Sequence, residues 1–164
     1  MGTAETGNAT ESAVLNALVQ RGFDALLPFG EGHAFDLVVH IERHFLRIQC
    51  KNARERRGCL AFNSRTTDHG RGRLPYDGLA DLFGVYAPPT RGIYLVPVCA
   101  APAYISHLRT APPLNSQRRG VRFAADYEID RWTLAALVEV VVAGRCEPPG
   151  AAKPLALVPG ASVS

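Results

Sequence analysis

A mixed α/β sheet covered by helices is the fold class that the sequence predicts, and three observations carry it. Apolar residues recur at helical spacing over residues 8–21. Two β-prone runs, 35–41 and 45–51, are separated by only three residues, which predicts an antiparallel hairpin. A continuous apolar run at 92–98 and a helical pattern at 129–143 then supply a further core strand and a closing helix.

Taken in order, the first helix places Ala9, Ala13, Val14, Ala17 and Leu18 on one face, with Thr6 or Asn8 as its cap and Gly22 as its stop. Residues 23–29 read as a first strand ended by the turn formers Gly30 and Gly32. The hairpin follows, and its second strand alternates apolar and polar residues with period two. Residues 52–73 are polar, basic and glycine-bearing, a long loop with a short strand at 59–63. A short helix is expected over 77–83, and one or two helical turns over 102–109. After Gly144 the Pro, Ala and Gly content rises, so the chain divides into a domain over 1–146 and an expected disordered tail over 147–164. There are no internal repeats.

Composition excludes several classes. With 164 residues, 47% apolar and 20% charged, the chain is long enough for one domain with its own core. No run approaches the roughly eighteen apolar residues of a membrane span, and the N-terminus lacks a basic region followed by an apolar one. A cytoplasmic protein without a membrane partner is the expectation. Cys50, Cys59, Cys99 and Cys146 show no C-x-x-C spacing, so zinc and thioredoxin-like chemistry gain no support and free thiols are expected. Net charge is only +3, yet residues 43–73 hold nine Lys or Arg against Glu55 and Asp68. Such a local excess suits a polyanion, although a solvated loop carries charge in the same way.

The hairpin brings Asp36, at the start of one strand, beside Gln49-Cys50-Lys51 at the end of the next. Alternation puts Gln49 and Lys51 on one face and Cys50 on the other. Hydrolysis of a phosphodiester needs a hard cation, oxygen ligands to hold it, and a group that orients water or offsets developing charge. Asp36, the amide carbonyl of Gln49 and the backbone carbonyl of Cys50 are suitable ligands. Lys51 is suited to stabilising the transition state or positioning the attacking water.

A helix, then Asp36, then a triplet ending in Lys51 on the neighbouring strand resembles the PD-(D/E)XK nuclease superfamily. The resemblance implies a restriction-endonuclease-like αβββαβ core and assigns the helix acid to Glu11 as a further metal ligand. Two positions depart from the pattern: Phe35 replaces the proline, and Gln49 replaces the acid of the triplet and removes one negative charge. A Gln-x-Lys variant is similar to the group I intron-associated homing endonucleases. Pro28-Phe29-Gly30-Glu31, the Tyr76…Asp81…Tyr86 segment and residues 120–128 extend that likeness over roughly residues 7–127. It implies an endonuclease that depends on Mg²⁺, with Mn²⁺ as a substitute, acting on double-stranded DNA as a homodimer or homotetramer. Holliday junction resolvases share the core, and a DNA-binding module that lost cleavage would keep it too.

Each candidate also has a plainer role. Glu11 suits the first turn of a helix through the dipole, and Glu31 suits a solvated turn or a substitute for the charge lost at Gln49. His40 and His44 straddle the hairpin as surface residues, while His33 and His69 lie in loops. Arg54, Arg56, Arg57, Arg65, Arg71 and Arg73 are candidate phosphate or guanine contacts, and Arg118, Arg119 and Arg122 form a second basic group. Tyr76 and Tyr86 read as core or rim packing residues.

Overall fold

The computed structural model describes residues 2–66, 74–102, 104–111 and 120–150. The chain starts with α1 (Thr3–Gln20) and continues through β1 (Asp24–Leu26), β2 (Leu37–Ile41) and β3 (His44–Asn52). A small hairpin of β4 (Arg54–Arg56) and β5 (Cys59–Asn63) comes next, followed by β6 (Leu82–Ala87) and β7 (Gly92–Pro97). The chain then forms β8 (Ile105–Arg109), α2 (Ala124–Tyr127) and α3 (Leu134–Ala143). Strands β1-β2-β3-β6-β7 make a five-stranded sheet, antiparallel except between β3 and β6, and β4-β5-β8 make a second, three-stranded sheet. The architecture is thus the mixed α/β, restriction-endonuclease-like arrangement.

The two faces of the main sheet are covered differently. Val14 and Leu18 of α1 and Leu137 and Val140 of α3 pack on Leu37, Val39, Leu46, Ile48, Leu82 and Leu95, so both long helices share one face. Leu60, Phe62 and Leu108 of the small sheet pack with Phe83, Val85, Tyr94, Val96 and Tyr127 on the other. Strands β6 and β7 therefore need apolar residues at successive positions, as central strands buried on both sides do. Gly84 lies where α1 comes closest: a Cβ there would stand 2.8 Å from Val14 Cγ1 and 3.0 Å from Ile48 Cγ2.

The hairpin expected from residues 35–51 is present, with Leu37 opposite Ile48 and Ile41 opposite His44 across a two-residue turn. The β4–β5 connection turns at Arg57 and Gly58, both at positive φ (51° and 70°), the backbone that two-residue hairpins with matched twist require.

Five expectations are corrected. Residues 77–81 form a turn that leads into β6, and 105–109 form a strand; among the described residues no helix lies between β5 and β6. Both segments are short, and a short apolar run has no period that separates helix from strand. The closing helix is split: Ile129–Arg131 is a 3-10 turn and α3 begins after Thr133, whose hydroxyl accepts the Ala136 N–H at 3.2 Å. The first helix begins earlier than expected, with Gly2 as its N-cap and Glu5 accepting the Gly2 N–H at 2.8 Å. Cys99 and Cys146, read as free thiols, are joined in a disulfide, whereas Cys50 and Cys59 are free. Two widely spaced cysteines give no spacing signal; only the fold brings their Cα atoms to 5.3 Å. Residues 151–164 of the expected tail lie outside the described residues, and no described helix is long and apolar enough to cross a membrane.

Candidate functional site

Strand β3 puts Gln49 and Lys51 on the face away from the helices, while Cys50 packs into the helix-side core. Asp36 stands one residue before β2, and its N–H donates to the Ile48 carbonyl at 2.9 Å, continuing the hairpin ladder. Its carboxylate then turns onto the next strand position. Asp36 Oδ2 accepts the Cys50 N–H at 2.7 Å and also the Gln49 side-chain amide. The same Gln49 Nε2 lies 3.3 Å from the Cys50 carbonyl oxygen. An amide N–H, the positive end of a dipole, thus sits between a carboxylate oxygen and a backbone carbonyl oxygen.

Glu11, Asp36, Gln49 and Cys50 line one cleft of about 460 Å³, together with Thr10, Asn52 and Arg54. Glu11 comes from the third turn of α1, which is moored beside the strand by Asn52 Nδ2 donating to Thr10 Oγ1 at 3.2 Å. A second cleft of about 420 Å³, lined by His33, Asp36, Gln49, Thr66 and Tyr76, opens on the other side of the same pair. Burial pushes the Asp36 carboxyl above its ordinary range, against the opposing pull of the Cys50 N–H and the Lys51 charge. Burial raises Glu11 as well, and the nearby Asp36 charge adds to it. The two carboxylates are therefore close enough to repel, which a cation between them would relieve.

Lys51 lies under Tyr76. Its Nζ donates to the Tyr76 hydroxyl at 2.9 Å and to the Arg65 carbonyl at 3.4 Å, and stands 4.4 Å from the Tyr76 ring centroid. Desolvation lowers its pKa to about 8, although the Asp36 charge opposes the shift. Burial also pushes the Tyr76 hydroxyl up to about 12, so it stays protonated.

The residues present fit a hard divalent ion. Among the described residues no three His, Cys, Asp or Glu side chains cluster together. The Glu11 and Asp36 carboxylates and the Cys50 carbonyl, with the Gln49 amide beside them, offer oxygen donors of the kind a hard divalent ion takes. Rotating the Gln49 amide so that its oxygen replaces its nitrogen is all that Gln49 needs to join that set.

Of the other expected residues, Arg54, Arg56 and Arg57 are exposed on or beside β4, and the Arg65 guanidinium lies 3.7 Å from the Tyr104 ring centroid. Arg71, Arg73, Arg118, Arg119 and His69 lie outside the described residues. Glu31 is exposed and lines neither cleft. His40 bonds Asp24 at 3.0 Å and the Glu42 carbonyl at 2.8 Å, so it does not pair with His44.

Sequence reasoning missed the part played by Tyr76, Thr10 and Asn52, because contacts across 25 and 42 residues leave no local signal. It also counted Arg47 among the basic excess. That guanidinium is held by both Asp81 carboxylate oxygens, at 3.1 and 2.9 Å, and locks the start of β6 to β3.

Comparison with known proteins agrees with the fold. A solved chain described as "The structure of a bacterial homing endonuclease: I-Ssp6803I" superposes with a TM-score of 0.69 at 22% identity, covering 87% of this chain and 99% of that one. Among curated protein sequences none matches significantly. The family model for PD-(D/E)XK endonucleases matches residues 1–130, which contain Glu11, Asp36, Gln49 and Lys51 and both sheets. The chain belongs to the PD-(D/E)XK endonuclease family.

Proposed function

We propose that this nuclease is a Mg²⁺-dependent endodeoxyribonuclease of the homing-endonuclease type, with Glu11, Asp36, Gln49 and Lys51 as its catalytic residues. The carrying observation is that Asp36 Oδ2, the Cys50 carbonyl and the Gln49 amide meet at one point of a cleft, with the Lys51 ammonium on the same sheet face. Bound Mg²⁺, or Mn²⁺, would supply a Lewis acid for the scissile phosphate and acidify water. Asp36, Glu11, the Cys50 carbonyl and a rotated Gln49 would hold the ion. Lys51, kept in place by Tyr76 and the Arg65 carbonyl, offsets charge on the phosphate oxygens or orients the attacking water. Arg54, Arg56, Arg57 and Arg65 are the described candidates for contact with DNA. One chain offers one such cleft, so cutting both strands of a duplex calls for a homodimer or homotetramer, which sedimentation would read.

One observation favours a second reading, a DNA-binding module without cleavage. The Gln49 amide already occupies the position between the two oxygens and satisfies them without an ion. A cleavage assay separates the two. Purified protein is incubated with supercoiled plasmid and with a library of duplex targets, in Mg²⁺ or EDTA. The nuclease reading expects cutting only with metal, and rates at least about 100-fold lower for Asp36→Ala and Lys51→Ala. It is overturned if the wild type cuts nothing, or if Lys51→Ala cuts as well as the wild type.

A further inference from the structure

We propose that the outward face of the β4-β5-β8 sheet reads base sequence in the major groove of duplex DNA, a role that rests on the DNA-cleaving reading above and deepens it. Strand register defines this face. Arg54 pairs with Ala61 and Arg56 with Cys59, while Cys59 pairs with Arg109, Ala61 with His107 and Asn63 with Ile105. Directly paired residues project to the same side of a sheet. The intervening Leu60, Phe62, Ser106 and Leu108 are buried against the main sheet. The outer side therefore presents Arg54 beside Ala61 and His107, Arg56 beside Cys59 and Arg109, and Asn63 beside Ile105.

The chemistry of that face is one-sided. It carries three guanidinium groups, an imidazole, an amide, the aliphatic Ile105 and the small Cys59 and Ala61, and no carboxylate. Glu55, the one acid on these strands, pairs with Leu60 and so belongs to the opposite set. The small residues Cys59 and Ala61 keep the middle strand low. Arg54, Arg56, Ala61, Asn63, Tyr104 and Ile105 accordingly line a trough of about 630 Å³.

The major groove, about 12 Å wide, admits a two-stranded β-ribbon, so two strands about 4.8 Å apart enter it while the third flanks its edge. Guanidinium groups read guanine, an amide reads adenine, and an aliphatic group contacts the thymine methyl. Tracking a single strand takes a row of stacking rings, and this face offers one imidazole, His107, with the exposed Tyr104 ring at its rim beside the Arg65 guanidinium. The face thus favours a duplex over single-stranded RNA. Asn52 and Arg54 line both this trough and the Glu11–Asp36–Gln49 cleft, so DNA lying on the face passes the candidate catalytic groups. Asn63, His107 and Arg109 join the recognition surface on these grounds, and β8 places the last two there.

The test is a selection that needs no cleavage. The full chain in EDTA is mixed with a randomised duplex library, and bound duplexes are separated and sequenced. Wild type, Arg56→Ala, Asn63→Ala and Arg109→Ala are compared with Arg91→Ala, which removes an exposed charge from the β6–β7 turn; melting curves check that each is folded. The wild type should enrich a motif. Each face variant should lose about 10-fold to 100-fold of the preference at its own base position, and Arg91→Ala should keep the motif. The proposal is overturned if folded face variants enrich the wild-type motif, if the wild type enriches none, or if it prefers single-stranded RNA. A motif lost in Arg56→Ala by a protein that never cuts DNA supports the face and removes the nuclease reading instead.

Discussion

Asp36 and Lys51 were legible from their types and spacing, because a carboxylate and an ammonium on paired strands converge whenever the hairpin register holds. The state of each group was not legible, since it depends on burial by residues distant in sequence. Lys51 has its pKa lowered to about 8 from 10.5, so its cation is present below about pH 7 and lost as pH rises through 8. The single-turnover cleavage rate should therefore gain a descending limb near pH 8 that a residual Lys51→Arg activity lacks; an identical limb in Lys51→Arg would assign it elsewhere. Asp36 carries the opposite linkage. Its folded pKa is raised, so the ionised carboxylate lowers stability at neutral pH, and the deficit closes as pH falls through that folded pKa toward the ordinary carboxylate value. Asp36→Asn should consequently raise Tm in EDTA by a few degrees, at about 2–4 °C per kcal/mol for a domain of this size. Calorimetry in EDTA checks this, and an unchanged or lower Tm would contradict it.

Elements with a clear period were recovered from the sequence, as was the continuous apolar run that forms β7, whereas β6 and β8 were not. The hairpin and the 59–63 strand alternate or are β-rich, and the structure has them in place as β2, β3 and β5. By contrast β6 is apolar on both faces because two layers cover it, and β8 buries Ser106 while exposing Ile105, so its pattern runs against polarity. Gly84 shows what β6 contributes to the site. It lets α1, which carries Thr10 and Glu11, lie against β3 and β6. Gly84→Ala should cost about 1–3 kcal/mol through overpacking against Val14 and Ile48, read by denaturant unfolding. A cost near zero would mean that the helix shifts freely, and the link between Gly84 and the placement of Glu11 would then fail.

At the scale of the whole molecule, the chain builds a main sheet with helices on one face and a basic three-stranded sheet on the other. The cleft lies where the two sheets meet α1. Family and fold could be argued from sequence because the motif residues are local to one hairpin and one helix. The second sheet could not, since it joins β5 to β8 across more than forty residues. The Cys99–Cys146 bond is likewise a product of the tertiary fold, tying the end of α3 to the turn after β7 across 47 residues. Cys99→Ser should lower stability by about 2–4 kcal/mol under oxidising conditions and leave it unchanged under reducing ones, where such bonds open. The central claim is that a cation held by Asp36, Gln49 and the Cys50 carbonyl drives hydrolysis. Its most direct test is the Mg²⁺ dependence of duplex cleavage by wild type, Asp36→Ala and Gln49→Glu. The account predicts half-maximal rate at lower Mg²⁺ for Gln49→Glu than for wild type, and no cleavage by Asp36→Ala. Cleavage in EDTA, or one Mg²⁺ curve shared by all three proteins, would contradict it.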